Sequence, residues 1–282
     1  MPEPIPWARA TSRVVGVMGH PIDHSLSPLL HNTAFAELGI DWVSVAFPVV
    51  PGAAAGALAG ARDLGLAGLS VTMPHKAAVA AAVDRLSPLA ARLEAVNCVV
   101  LREGRATGEN TDGGGFVDAL GHGAGFAVAG RRCLVAGAGG AARAVVVALA
   151  EAGASEVAVV NRTPERARAA AALAGAVGRV GQAAEASGMD LVVDATPVGM
   201  GGAGTAVPTV DPTLLGPSQL AVDLVYHPRR TPWLTAAAEQ GATVLGGLGM
   251  LVHQAARQLE LWTGLDPPTA VLWQAAMAAT GD

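Results

Sequence analysis

The residues best suited to bind a charged nucleotide lie between Arg131 and Arg168. A glycine turn, Gly137-Ala138-Gly139-Gly140, runs into Ala141, Ala142 and Arg143, and farther on stand Asn161-Arg162-Thr163, with Arg166 and Arg168 behind them. Gly137, Gly139 and Ala142 fit G-x-G-x-x-A. In that pattern the first glycine permits a tight turn, the second lets a pyrophosphate approach the backbone, and the small third residue lets a helix pack closely on a strand. The helix start offers N–H groups and the positive end of its dipole to phosphate. An NAD site usually carries Asp or Glu at the end of the second strand, to bond the ribose 2′-hydroxyl. Here that place holds Asn161, Arg162 and Thr163, and a guanidinium pairs well with phosphate. The reading is NADP(H), held by Gly137, Ala138, Gly139, Gly140, Ala141, Asn161, Arg162, Thr163 and Arg166.

These groups need elements to position them. Residues 133–136 form an apolar run that reads as a buried strand, a helix follows to about Ala152, and residues 156–160 supply the next strand. Strand, turn, helix and strand in that order make the βαβ unit of a dinucleotide fold. A bare glycine turn also occurs in unrelated α/β proteins; the flanking strands and the basic cluster favour the nucleotide. Further strands are expected near residues 191–195, 220–224 and 243–245.

Upstream, residues 13–18 read as a strand ending at Gly19, followed by the loop GHPIDHSLSPLLHN. Ser27 is placed as a helix N-cap with Pro28 at the first helical position, the helix running to about Leu38. Strands are expected over 42–47, 66–71 and 95–101, and helices over 52–64, 77–84 and 88–93. The last segment, 248–280, has helical periodicity with a break at 264–268. Gly113, Gly114 and Gly115 mark a domain boundary and a hinge. The architecture expected is a two-domain α/β protein. Residues 1–111 form a substrate domain, 112–246 a Rossmann-type NADP domain, and 247–282 are C-terminal helices returning to the first domain.

Composition narrows the class. The chain has 282 residues, a net charge of −5 and no basic stripe, which argues against nucleic acid. The uncharged stretch 42–61 contains Pro48 and Pro51 and fails as a membrane span. Residues 1–13 have no apolar core of signal-peptide type. Cys98 and Cys133 are taken as reduced packing residues of a cytoplasmic protein. The spacing of His20, His24 and His31 fits no usual zinc pattern, so no metal is expected.

Taken together, these stretches resemble the shikimate dehydrogenase family along nearly the whole chain. GHPIDHSLSPLLHN resembles the family's substrate loop, which implies that Ser25 and Ser27 contact the acid. SVTMPHK resembles N-V-T-x-P-x-K and implies Thr72 as a substrate contact and Lys76 as the catalytic lysine. VNC resembles V-N-T and implies a substrate-binding amide at Asn97. GENTDGGGF resembles G-x-N-T-D-x-x-G-F and implies Asp112 as the partner of Lys76. GAGGAAR and NRTPER resemble the family's NADP elements. DATPVGM, DLVYHPRRTPWL and GGLGMLVHQA complete the match, with Tyr226 and Gln254 on the substrate and Leu224 and Gly247 on the cofactor. Ser70 stands where the family usually has Asn, Cys98 where Thr is usual, and Asp194 where Asn is common.

The resemblance implies reversible NADPH-dependent reduction of 3-dehydroshikimate to shikimate, within the route to chorismate and the aromatic amino acids. Lys76 is assigned as proton donor in that direction and as base in reverse, held by Asp112, because a neighbouring carboxylate favours the charged ammonium. From the residues alone other roles stay open. Ser27 and Asp112 suit helix caps, Tyr226 a half-buried aromatic, and Gln254 a polar helix face. Rivals are a quinate/shikimate or aminoshikimate dehydrogenase, and a non-catalytic NADP-binding relative. A homodimer is the protein partner considered.

Overall fold

The computed structural model describes residues 9–200 and 207–281; the lead at residues 1–8 lies outside them. The described chain divides into two compact units, residues 9–111 with 255–281, and residues 112–200 with 207–254.

The first unit holds a six-stranded sheet of β1 (Arg13–Gly19), β2 (Trp42–Pro48), β3 (Gly68–Val71), β4 (Arg85–Leu86), β5 (Cys98–Arg102) and β6 (Arg105–Glu109), in the order β2-β1-β3-β5-β6-β4. Strands β2, β1 and β3 are parallel, while β5 runs antiparallel to both β3 and β6. Helices α1 (Ser27–Glu37), α2 (Ala54–Asp63), α3 (Lys76–Ala80) and α4 (Pro88–Leu93) connect them. Helix α2 buries Ala54, Leu58 and Ala61, an i, i+4, i+7 stripe, against Met18, Leu69, Val71 and Val99.

Two features here were not anticipated. The helix expected over 77–84 stops at Ala80, and the chain turns into the short strand β4. Asp84 explains the change: its amide donates to the Ala106 carbonyl (3.0 Å), and its carboxylate accepts from the Ala106 amide (2.6 Å) and from Arg62 (2.8 Å). These bonds tie the segment to β6 in place of another helical turn. Strand β6 itself forms because Glu103 and Gly104 both adopt positive φ (51° and 72°), the geometry of a two-residue hairpin that brings Arg102 opposite Arg105.

The second unit holds β7 (Arg132–Ala136), β8 (Glu156–Val160), β9 (Gly178–Val180), β10 (Leu191–Asp194), β11 (Leu220–Asp223) and β12 (Thr243–Leu245). All are parallel, in the order β12-β11-β10-β7-β8-β9, which is the strand order of the doubly wound dinucleotide fold. Alternate residues feed opposite cores. Cys133, Val135, Val157, Val159, Leu191 and Val193 face α5 (Asp112–Ala124), α6 (Gly140–Glu151) and α7 (Pro164–Ala172). Leu134, Ala136, Ala158, Val192 and Ala221 face α8 (Pro232–Glu239). Burial on both faces is why these strands are near-continuous apolar runs. In α6, Ala142, Val145, Val146 and Leu149 repeat at helical spacing on the buried side.

The C-terminal helices are α9 (Leu248–Thr263) and α10 (Thr269–Thr280). The sequence placed all of 247–282 with the first domain, but residues 247–254 group with the second unit. Gly115 of α5 gives the reason: a Cβ there would lie 2.5 Å from the Gln254 amide nitrogen, so helix and chain pack backbone to backbone. No helix among the described residues is long and apolar enough to cross a membrane.

Gly68 supports a similarly close packing in the first unit. A Cβ on it would lie 2.6 Å from the Val99 carbonyl oxygen and closer still to Trp262 Nε1, which donates to that same carbonyl (3.0 Å). Gly68→Ala should therefore destabilise the protein by about 1–3 kcal/mol through overpacking and loss of that bond; the shift of the urea midpoint measures it.

Candidate active site

In the first unit β1 is followed by β2 on one side and, after α2, by β3 on the other. Open parallel sheets bind ligands beyond the carboxyl ends of the strands where the order reverses in this way. The Gly19 loop and the Thr72 loop meet at that point. Thr72 donates its amide to the Met18 carbonyl (2.9 Å), and His20 donates to that of Met73 (2.9 Å). A Cβ at Gly19 would collide with the Thr72 methyl and lie 2.7 Å from Ile22.

The loop then folds into α1, where the expected capping differs. Leu26, not Ser27, is the N-cap, and its carbonyl accepts the first helical bond, from Leu30 (3.0 Å). Ser27 lies buried in the first turn, and the Ser25 hydroxyl accepts from the Ser27 amide (3.3 Å). Helix α1 therefore has no side-chain cap, and the local serine bond is that of Ser25 to the Ser27 amide.

Lys76 opens α3 and is half-buried; its carbonyl accepts from the Val96 amide (3.0 Å). The next residue, Asn97, is buried. It donates its backbone amide to Glu109 (3.1 Å), while its carbonyl accepts from Val71 (2.7 Å) and from the Gln258 side chain (3.1 Å). Its side-chain oxygen accepts from the Thr111 amide (2.7 Å), and its Nδ2 donates to the Thr111 hydroxyl (2.9 Å). Ser25, Ser27, Thr72, Lys76 and Asn97 thus share one end of the first unit's sheet. Thr111, absent from the sequence expectations, fixes the Asn97 amide. Its signal was the pair Asn110-Thr111 directly before Asp112.

The remaining expected substrate residues belong to the second unit. Asp112 begins α5 and is buried. Half-buried Tyr226 has its hydroxyl pushed above the ordinary tyrosine range by burial. The Gln254 Nε2 donates to the Leu251 carbonyl (3.0 Å).

In that unit the order reverses between β7 and β10, and the glycine turn lies at that point. Gly137 takes φ +117° and donates its amide to Val160 at the end of β8 (2.8 Å). A Cβ on it would sit 3.0 Å from the Ala195 carbonyl and 3.6 Å from the Ala142 methyl, so glycine is needed. Gly139 is different: a Cβ there would meet nothing within 4 Å. It is the N-cap of α6 and supplies no side-chain cap, and Gly139 and Gly140 are exposed while Ala138 and Ala141 are half-buried. An uncapped helix start opening onto empty space fits a pyrophosphate.

Asn161 adjoins this turn through Val160, and its Nδ2 donates to the Thr163 carbonyl (3.1 Å), shaping the loop that exposes Arg162; Arg166 is exposed in the first turn of α7. Gly247 packs against Leu224, where a Cβ would lie 2.5 Å from the carbonyl carbon. The chain's residues therefore fit a 2′-phosphorylated dinucleotide.

His20 and His24 are exposed, whereas His31 is fully buried against Ser44 (3.0 Å). Burial pushes the His31 ring down to about 3, the Gln258 side chain opposing, so it is neutral.

Models of three domains match the chain. The shikimate dehydrogenase substrate binding domain covers residues 17–99, the shikimate/quinate 5-dehydrogenase domain 122–196, and the shikimate 5′-dehydrogenase C-terminal domain 247–277. The shikimate dehydrogenase (NADP(+)) of Moorella thermoacetica is 44% identical over 97% of this chain and 95% of its own. That of Methanopyrus kandleri is 45% identical over 95% and 96%. The crystal structure of shikimate 5-dehydrogenase from Thermus thermophilus, in complex with NADP(H) and shikimate, superposes with a TM-score of 0.88 at 41% identity, covering 95% of this chain and 99% of that one. With motifs, strand order and relatives in agreement over nearly its full length, the chain belongs to the shikimate dehydrogenase family.

Proposed function

We propose that the chain catalyses the reversible NADPH-dependent reduction of 3-dehydroshikimate to shikimate, in the route to chorismate and the aromatic amino acids. What supports the reading is that the segments carrying Ser25, Ser27, Thr72, Lys76 and Asn97 lie at a single sheet end in the first unit. A hydroxylated carboxylic acid needs such a set: donors for its carboxylate, partners for its ring hydroxyls, and one acid for the proton. The relatives' names supply the identity of that acid.

In this reading Ser25 and Ser27 hold the carboxylate, and Thr72, Asn97, Tyr226 and Gln254 orient the ring. Bound NADPH supplies the hydride. Lys76 delivers the proton to the substrate's carbonyl oxygen and takes it back in the reverse direction. Asp112, which follows Thr111 directly, keeps that ammonium charged and in place. Gly137, Ala138, Gly139, Gly140 and Ala141 take the pyrophosphate; Asn161, Arg162, Thr163 and Arg166 take the 2′-phosphate; Leu224 and Gly247 line the nicotinamide side. A cytoplasmic setting agrees with two free buried thiols, and a homodimer completes the proposal.

The initial rate of NADP reduction with shikimate tests the activity, run beside NAD and quinate. Fast turnover should be confined to shikimate with NADP. Equal turnover of quinate with NAD would overturn the substrate assignment, and NADPH binding without turnover of any pair would favour a binding-only relative. Lys76→Ala should lower kcat by roughly 10²–10⁴-fold with the fold intact by circular dichroism; an unchanged rate would remove Lys76 from the chemistry. Arg162→Asp should weaken NADP over NAD by roughly 10- to 100-fold, the worth of one charge-assisted hydrogen bond. Equal weakening of both cofactors would make Arg162 structural.

A further inference from the structure

Strands β10 and β11 end on the same residue type at the same register: Asp194 stands opposite Asp223, and both are buried (2% and 1% exposed). Register partners on neighbouring parallel strands point to one face, roughly 4.8 Å apart. Ala136, the residue before Gly137, is the partner of Asp194 on its other side. The two carboxyls therefore lie at the carboxyl end of the sheet, beside the reversal point where the glycine turn sits.

Each carboxyl shapes the loop that follows its strand. Asp194 accepts from the Thr196 amide (2.8 Å), and the Thr196 hydroxyl accepts from Val198 (3.3 Å). The residue between, Ala195, presents its carbonyl to Gly137. Asp223 accepts from the Val225 amide (2.9 Å) and from the Thr231 hydroxyl (2.7 Å), and that hydroxyl caps α8 by accepting from Leu234 (3.3 Å). The loop thus held carries Leu224 and Tyr226. Two loops that border the crevice are anchored on two adjacent carboxyls.

Two buried carboxylates side by side repel, and among the described residues neither is bonded to a cation. The facing residues of β7 and β12 and the first turn of α8 carry no charge; the intervening loop contributes His227, Arg229 and Arg230. Burial pushes Asp194 upward, with Thr196 opposing. Burial also pushes Asp223 up to about 6, against the Val225 amide and the Thr231 hydroxyl, and the Asp194 charge adds to the rise.

We propose that Asp194 and Asp223 are positioning residues that carry one proton between them in place of two charges, and that this pair sets the two loops bordering the nucleotide crevice. The proposal rests on the dinucleotide reading of that crevice. Loss of the proton to solvent leaves two like charges and loosens both loops. An amide at position 194 would remove one of the two charges at every pH. Because the folded state binds the proton more tightly than the unfolded chain, stability is full at low pH and is lost as pH rises through about 6.

The test is a ¹³C-carboxyl titration of the whole protein by NMR, with NADPH affinity measured from pH 5.5 to 8.5 on wild type and Asp194→Asn. Two coupled steps should appear for residues 194 and 223, one of them above the usual carboxylate range. Wild-type affinity should fall by roughly tenfold across the upper step, the linkage of one pKa unit, and Asp194→Asn should flatten that dependence. Independent titration of both groups in the ordinary range would overturn the shared proton, on wild type alone and whether or not the variant folds. Coupled titration with parallel affinity profiles in wild type and variant would overturn the positioning role. Failure of wild-type protein to bind NADPH at any pH would instead sink the cofactor reading, while the titration would still judge the pair.

Discussion

Much of the second unit depends on one close approach, the backbone of Gly137 against the Ala195 carbonyl. At φ +117°, with an added Cβ only 3.0 Å from that oxygen, no side chain is tolerated there. The same residue donates to Val160, so the ends of β7, β8 and β10 are drawn together at one turn. Ala142, small enough to sit behind the turn, lets α6 start there with its first amides uncapped. In the proposed cofactor site, anion binding at this end would follow first from backbone geometry and only afterwards from side-chain charge.

The first unit solves a related problem with different chemistry. Its strand order also reverses between two parallel strands, and a glycine again allows two loops to touch, Gly19 against Thr72. What gathers there is a set of hydroxyls, an amide and an ammonium. The antiparallel pair β5–β6 contributes through the Asn97–Thr111 bonds, which link both strand ends at the same edge. A network of this kind is costly to break because both partners are buried.

Polar groups elsewhere divide by burial. Arg179 pairs with both Glu156 and Glu185, but these ion pairs are exposed and contribute little. His31, fully buried, stays neutral against Ser44 and packs edge-on to Trp262 at 5.0 Å. The buried carboxyls at the ends of β10 and β11 contrast with both: they retain a polar role where desolvation is expensive, at the border of a crevice.

The sequence by itself determined whatever depends on local spacing. The glycine turn, the Rossmann strand–helix rhythm and the strand 156–160 followed from periodicity and turn chemistry, because parallel strands buried on both faces must be apolar throughout; the edge strand 243–245, less buried, was marked by its β-branched Thr-Val pair. The arginines at 162 and 166 likewise stood out by position alone. Tertiary structure decided what depends on partners distant in sequence. Asp84 turned an expected helix into β4 by bonding to β6, Leu26 took the cap assigned to Ser27, and residues 247–254 joined the second unit because Gly115 admits their backbone. Thr111 on Asn97 and Asp194 opposite Asp223 are pairings across strands. The strands LVVD and LAVD each end on an aspartate, but only the register of the folded sheet sets the two side by side.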